Sequence, residues 1–236
     1  RTQDANLQHL AKELNSVGVI LSEARVIPDV ETMIVDTVNT MRGIYDYVFT
    51  TGGIGPTHDD ITAECIAKAF GLPLIRNVEA EDLMKAHYES TGRELNEARL
   101  RMANTPEGAA LVKNPISTAP GFRIENVYVL AGVPMVMQAM LENLKPELIG
   151  GETMLSRAVA SYIGEGNMAA GLSALQDKYR ALDIGSYPFY KAGNRFGTTI
   201  VLRHTDASLL ETALQEVASL MTSLGGKPEF QDMSDG

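Results

Sequence analysis

The chain has 236 residues, 44% of them hydrophobic, which suffices for one large core or two modest ones and argues against disorder. A formal net charge of −10 excludes a general nucleic-acid binder, since such proteins need a basic face to displace counterions from phosphates. The single Cys65 excludes an internal disulfide, no apolar run has bilayer-spanning length and no signal peptide is seen, so a soluble protein of the reducing cytoplasm is expected.

In chain order, Leu7, Leu10, Ala11 and Leu14 mark a helix. Val17 to Ile27 reads as a strand entered at Gly18, and Pro28-Asp29 opens a helix carrying Met33, Ile34, Val38 and Met41. Tyr47 to Thr50 is a short buried strand, after which Ile61, Cys65, Ile66 and Phe70 recur at helical spacing. Cys65 falls in that apolar pattern and reads as packing rather than as a nucleophile. Leu72 to Ile75 is a short extended piece, and Val78 to Met102 holds two helical stretches divided near Thr91-Gly92. Arg93, Arg99 and Arg101 lie there; surface charge is the commoner role for such arginines and is favoured over phosphate binding.

Ala110 to Val112 and Val127 to Leu130 read as strands, with Gly121 to Ile124 as a hairpin partner between them. Asn114 to Gly121 and Ala131 to Pro134 are rigid turns of small residues, and Pro134 starts a helix whose apolar face is Val136, Met137, Met140, Leu141 and Leu144. This alternation predicts an α/β fold with a mostly parallel sheet between helices. Beyond Gly150-Gly151 the pattern changes: strand at Met154 to Ile163, helix at Ala169 to Tyr179, strands at Ile184 to Tyr190 and Thr198 to His204, helix at Ala207 to Leu224. That order predicts a small two-layer α+β domain. The expected division is therefore 1–148, 149–228 and a frayed polar tail at 229–236.

The run from Thr50 to Thr62 carries the most chemistry, because it joins a strand to a helix at the carboxyl edge where open α/β sheets collect ligands. Gly52, Gly53 and Gly55 permit positive φ and close approach of N–H groups to an anion, Thr57 adds a hydroxyl, and a helix beginning near Asp59 would point its dipole at the same place. Asp59 and Asp60 would repel a phosphate unless they serve as a helix cap, as metal ligands or as a base. His58 is a further candidate base, although exposed loop histidines are usually inert.

Three spaced motifs together resemble the molybdopterin-binding (MoaB/MogA-like) domain, and more closely the competence/damage-inducible protein A family. They are Thr50-Thr51-Gly52-Gly53-Ile54-Gly55-Pro56-Thr57-His58-Asp59-Asp60, Ser117-Thr118-Ala119-Pro120-Gly121-Phe122 and Gly132-Val133-Pro134. The likeness covers about residues 1 to 146, and the Ser186-Tyr187-Pro188 neighbourhood extends it into the small domain. This chain has Leu130-Ala131-Gly132-Val133-Pro134 where many relatives have Leu-Pro-Gly-Val-Pro. The family's Gly-Asp-Glu-x-Leu-x-Gly segment would fall ahead of Arg1.

The resemblance implies a three-layer α/β/α fold, usually oligomeric, that binds molybdopterin or an adenine dinucleotide through Thr51, Gly52, Gly53, Gly55, Pro56, Thr57, Ser117, Ala119, Pro120, Gly121, Gly132 and Pro134. It further implies a pyrophosphatase that cleaves ADP-ribose or FAD and releases AMP. The family's two acidic positions map onto Asp60 and, on fewer matching residues, Asp29. A divalent ion, magnesium, manganese or cobalt, would sit at Asp60 with Asp59 as second ligand, neutralising phosphate charge and acidifying a water. The expected partner is a small phosphate-bearing molecule, with neither nucleic acid nor membrane, bound by a homo-oligomer. A non-catalytic molybdopterin-binding module and a molybdopterin adenylyltransferase are the alternatives.

Overall fold

A computed structural model describes residues 4–191 and 195–231, and the chain divides into two units, Arg1–Ile149 and Gly150–Gly236. In the first, helix α1 (Ala5–Ser16) begins where the Asp4 carboxylate accepts the N–H groups of Asn6 and Leu7. Helix α2 (Glu31–Arg42) leads to strand β1 (Val48–Thr51), and helix α3 (Thr62–Phe70) ends on Gly71, whose φ of 64° supplies the left-handed stop. Strand β2 (Leu74–Arg76), helix α4 (Val78–Thr91), the single turn α5 (Glu97–Leu100), a 3-10 turn (Arg101–Ala103) and strand β3 (Asn104–Pro106) follow. Strands β4 (Ala110–Val112), β5 (Gly121–Ile124) and β6 (Val127–Leu130) then precede helix α6 (Pro134–Leu144) and a 3-10 turn (Lys145–Glu147).

The main sheet runs β1-β6-β5-β4, and β2 and β3 form a separate antiparallel pair. Its central strand β6 is buried at every position, as expected of a strand covered on both faces. On one face Leu10 and Leu14 of α1 meet Met137, Met140 and Leu141 of α6 beneath Tyr128 and Leu130. On the other, Ile34 and Val38 of α2 meet Cys65 and Ile66 of α3 beneath Val127 and Val129. These are the three α/β/α layers. The buried methionines are core filler and Cys65 is a packed thiol pushed up by burial, as the helical spacing implies.

Two expectations are corrected here. Strand direction is mixed: among the described residues only β1 and β6 pair in parallel, while β5 pairs antiparallel with both β6 and β4. The two-residue link between β5 and β6 cannot provide the crossover that a parallel pair requires. Val17 to Ile27 is not a strand. Its β-forming side chains find no ladder partner among the described residues, and Ile20 and Val26 are exposed.

The second unit is βαββαβ: strand β7 (Leu155–Ser161), helix α7 (Glu165–Lys178), strands β8 (Asp183–Lys191) and β9 (Arg195–His204), helix α8 (Ala207–Ser223) and strand β10 (Glu229–Gln231). The sheet order is β10-β7-β9-β8, antiparallel throughout. Met168, Leu210, Leu214, Val217 and Met221 of the helices pack on Val159, Ile200 and Leu202, which makes two layers. Residues 229–231, expected in the frayed tail, pair instead with Ala158 to Ala160; the rest of that tail lies outside the described residues. Among the described residues no helix is long and apolar enough to cross a membrane.

Gly121, assigned to ligand binding by resemblance, is buried inside this architecture. A Cβ there would overlap the Val129 carbonyl oxygen and stand 3.4 Å from Met140 Sδ. Gly121→Ala is expected to cost about 1–3 kcal/mol of stability through overpacking, read as a lowered urea midpoint at unchanged slope.

Candidate functional site

The parallel pairing of β1 with β6 sends two loops from the same edge of the sheet. Gly52 N–H donates to Leu130 O at 3.0 Å, extending the ladder by one residue. A Cβ on Gly132 would come within 3.0 Å of Gly52 Cα, so the two loops touch through glycine backbone. Thr62 N–H donates to Gly53 O at 2.9 Å and closes the glycine loop; Gly53 has φ +68, and a Cβ there would overlap Thr62 Oγ1. This leaves the N–H groups of Gly53, Ile54 and Gly55 with no protein acceptor among the described residues.

At the tip, Thr57 and Asp60 lock each other. Thr57 N–H donates to Asp60 Oδ2 at 2.8 Å, while Asp60 N–H donates to Thr57 O at 3.3 Å. The Thr57 hydroxyl lies 2.6 Å from both Asp60 Oδ2 and Asp59 Oδ1, and its one proton serves only one of them at a time. Asp59 is not the helix cap: α3 starts three residues later, at Thr62, with Ile61 as N-cap and no side chain capping it. The Thr57 hydroxyl first, then its own N–H, hold the Asp59 carboxyl below its ordinary value. His58 is exposed, and its ring makes no hydrogen bond among the described residues.

A cleft of about 210 Å³ opens beside this turn. Gly55, Asp60, and Ala63 and Glu64 from the uncapped first turn of α3, line it; Arg101, Asn104 and Pro120 contribute polar and rigid parts, and Leu74, Met102 and Phe122 apolar surface. Uncapped N–H groups and the positive helix end favour an anion there. Arg101 Nη1 donates to Thr57 O at 3.2 Å. Arg99 bonds instead to the Glu94 carbonyl and lies over the Tyr88 ring, as a surface arginine would.

The other predicted residues are spread out. Thr51 ends β1, Pro56 lies within the glycine loop, and Pro134 is the exposed first residue of α6. Ser117 and Ala119 belong to a turn organised by buried Asn114, which accepts from the N–H groups of Ile116 and Ser117 and donates to Ser117 Oγ and Ala119 O. Asn114 was not singled out by sequence, nor were Glu64 and Asn104. Asp29 lies exposed before α2 and does not line the cleft; its charge is felt at Cys65, below those of Glu31 and Glu64.

Asp59 and Asp60 offer hard oxygen donors that suit magnesium or manganese, which bind one or two carboxylates and complete their shell with water and substrate phosphate. They do not form a three-ligand cage. Among the described residues His9, Glu13 and Glu142 do come together, but Lys145 Nζ stands 2.6 Å from Glu13 and 2.9 Å from Glu142 and already supplies the cation. Among the described residues of the first unit, the buried oxygens Thr50 Oγ1 in β1 and Asn6 Oδ1 lack partners; Asn6 Nδ2 donates to Gly132 O at 2.8 Å, which places that side chain at the glycine contact.

Residues 1–150 match the family described as "Probable molybdopterin binding domain", and residues 153–225 match "FAD synthase, middle domain". A crystal structure of the protein CinA, of unknown function, from Thermoplasma acidophilum has 30% identity and a TM-score of 0.57, covering 62% of this chain and 88% of that one. A CinA-like protein of Crocosphaera subtropica is 33% identical over 70% of this chain and 43% of its own length. The chain belongs to the CinA family and carries its molybdopterin-binding domain. A protein of Caldivirga maquilingensis is 34% identical over 78% of this chain and 73% of its own length. Some CinA relatives are thus more than twice as long as the region shared with this chain.

The Thr57 contact makes a pH-dependent prediction. A depressed folded-state pKa stabilises the turn above the unfolded Asp value of about 3.9, and that contribution is lost as pH falls through the folded value. In Thr57→Val the Asp59 carboxyl is expected to move up toward its ordinary value, followed by carboxyl carbon NMR, with a weaker acid dependence of loop stability.

Proposed function

We propose that the chain is a metal-dependent nucleotide pyrophosphatase that hydrolyses ADP-ribose, FAD or a similar adenine dinucleotide and releases AMP. The observation that carries this reading is the meeting, at one cleft, of unbonded glycine-loop N–H groups with the Asp60 carboxylate. Water adds to one phosphorus, the bridging P–O bond breaks, and the departing phosphate takes a proton; ADP-ribose gives AMP and ribose 5-phosphate, and FAD gives AMP and FMN. A bound divalent ion would neutralise phosphate charge and acidify a water. Asp60 and Asp59 would hold that ion, the Gly53 to Gly55 N–H groups would orient the phosphates, and the apolar surface would exclude bulk water. Asp29, exposed before α2 and outside the cleft lining, is the second acidic residue by resemblance alone.

The match of the second unit to a FAD synthase middle domain supports a dinucleotide ligand. The net charge of −10 favours a small phosphate ligand over nucleic acid, and the single buried Cys65 suits the cytoplasm. Exposed apolar residues such as Val26 and Ile44 support a homo-oligomer. One observation favours a second reading, a molybdopterin-binding module without turnover: the Asp60 carboxylate already accepts the N–H of Thr57 and shares its hydroxyl with Asp59, which is a structural duty. Adenylyl transfer to a pterin is a third.

AMP release from ADP-ribose and FAD with magnesium, manganese or cobalt tests these readings. Turnover is expected in the wild-type protein, with a loss of about 100-fold or more in Asp60→Asn. Stoichiometric binding without AMP in either protein would instead establish the binding module.

A further inference from the structure

We propose that Arg101 is the anion-recognition residue of the cleft, exchanging its bond to the Thr57 carbonyl for a forked pair of bonds to a ligand phosphate. The inference rests on the reading of this cleft as a phosphate-ligand site. Three ionisable side chains line it, Asp60, Glu64 and Arg101, and two of them are anionic. Glu64 is tied to Lys68 at 2.9 Å, and Lys68 also holds Glu31 at 2.5 Å, so that lysine is spent between two carboxylates and is no lining residue. Arg101 is the lining group left to offset the acidic charge that a phosphate would meet.

Its donors are available. Among the described residues Arg101 makes no ion pair, and its one side-chain hydrogen bond uses Nη1 at 3.2 Å. A guanidinium has five donors in a planar fork that matches two phosphate oxygens. Arg76, the last residue of β2, paired with Asn104 at the start of β3, is by contrast spent on Asn104, Glu81 and Glu97. Arg101 heads the 3-10 turn whose end, Ala103, is fully buried and whose next residue begins β3, so its backbone is anchored while its side chain stays exposed. Because Thr57 O also accepts Asp60 N–H, a phosphate that draws Arg101 away acts directly on the acidic turn.

Calorimetric titration of the whole protein with ADP-ribose, AMP and adenosine, with magnesium present and ADP-ribose supplied as its non-hydrolysable methylene-bridged analogue, tests this with Arg101→Ala and Arg101→Lys. Arg101→Ala is expected to weaken ADP-ribose and AMP about tenfold or more and to leave adenosine, which carries no phosphate, unchanged. Arg101→Lys should fall between, and methylguanidinium should restore part of the binding of Arg101→Ala. With a divalent ion present, KM should rise more than kcat falls. Equal weakening of adenosine and ADP-ribose would mark a structural role and overturn the proposal, as would unchanged ADP-ribose binding. Wild-type protein that binds none of the three ligands would overturn the phosphate-site reading itself, and this inference with it.

Discussion

The parallel pairing of β1 with β6 is the constraint from which the cleft follows. Pairing Thr51 with Leu130, and bonding Gly52 N–H to Leu130 O, makes both strands end level, so their loops emerge together. Side-chain bulk at either root would push them apart, which is why glycine faces glycine at 52 and 132. Val127, Val129 and Leu130 are fully buried, and each contributes about 1.5–3 kcal/mol through burial. Leaving a loop N–H unpaired costs about 1–3 kcal/mol where it is dry, and less for half-exposed residues such as Gly53, Ile54 and Gly55. The buried strand therefore outweighs the unsatisfied donors beside it, and the fold tolerates a loop whose hydrogen bonds await a ligand.

Charge decides what that ligand requires. Two carboxylates about 5 Å from a phosphate, at an effective dielectric constant near 20, oppose it by about 3 kcal/mol each. A helix N-terminus returns only about 0.3–1 kcal/mol when exposed. The first turn of α3 cannot by itself hold a phosphate next to Asp59 and Asp60, so a cation must enter the account. Arg101, bonded to Thr57 O, supplies one unit of positive charge to the cleft, and a divalent ion at the acidic turn would reverse the sign of the rest. This ordering separates the cleft from simple glycine-loop sites, in which backbone dipoles suffice.

How much was legible in the sequence follows from which signals are local. The glycine run, the β6 strand and the apolar face of α6 declare themselves within a few residues, and the structure places all three as their spacing implies. Val17 to Ile27 misleads because β-propensity describes a side chain's fit to a sheet, and only a partner makes the strand. Asp59 has the composition of an N-cap, yet the Thr57–Asp60 lock consumes a further turn of chain before α3 can start. Arg99 and Arg101 are indistinguishable by composition. What separates them is the change from α5 to a 3-10 turn between them, which leads directly into β3 and its pairing with β2. Asn114 shows the same limit: its hydrogen bonds reach three and five residues onward, and only burial reveals that it organises the turn carrying Pro120 into the cleft.

Asp60 is where folding and chemistry make competing demands. As an acceptor it fixes the loop, and an amide oxygen in its place can still receive Thr57 N–H. As a carboxylate it offers what that amide lacks, negative charge and ligating oxygens for a hard cation. Gly55 belongs to the same bargain, because a Cβ there would stand 2.6 Å from Asp60 Oδ2 and would crowd the carboxylate out of its turn. The glycine thus makes room for the acid as well as for an anion. A loop that needed only to turn could use a smaller acceptor than Asp60 and a larger residue than Gly55. The pairing of this acid with this glycine in the lining of the cleft is what the proposed reading, a phosphate ligand bound with a metal ion, requires of the loop.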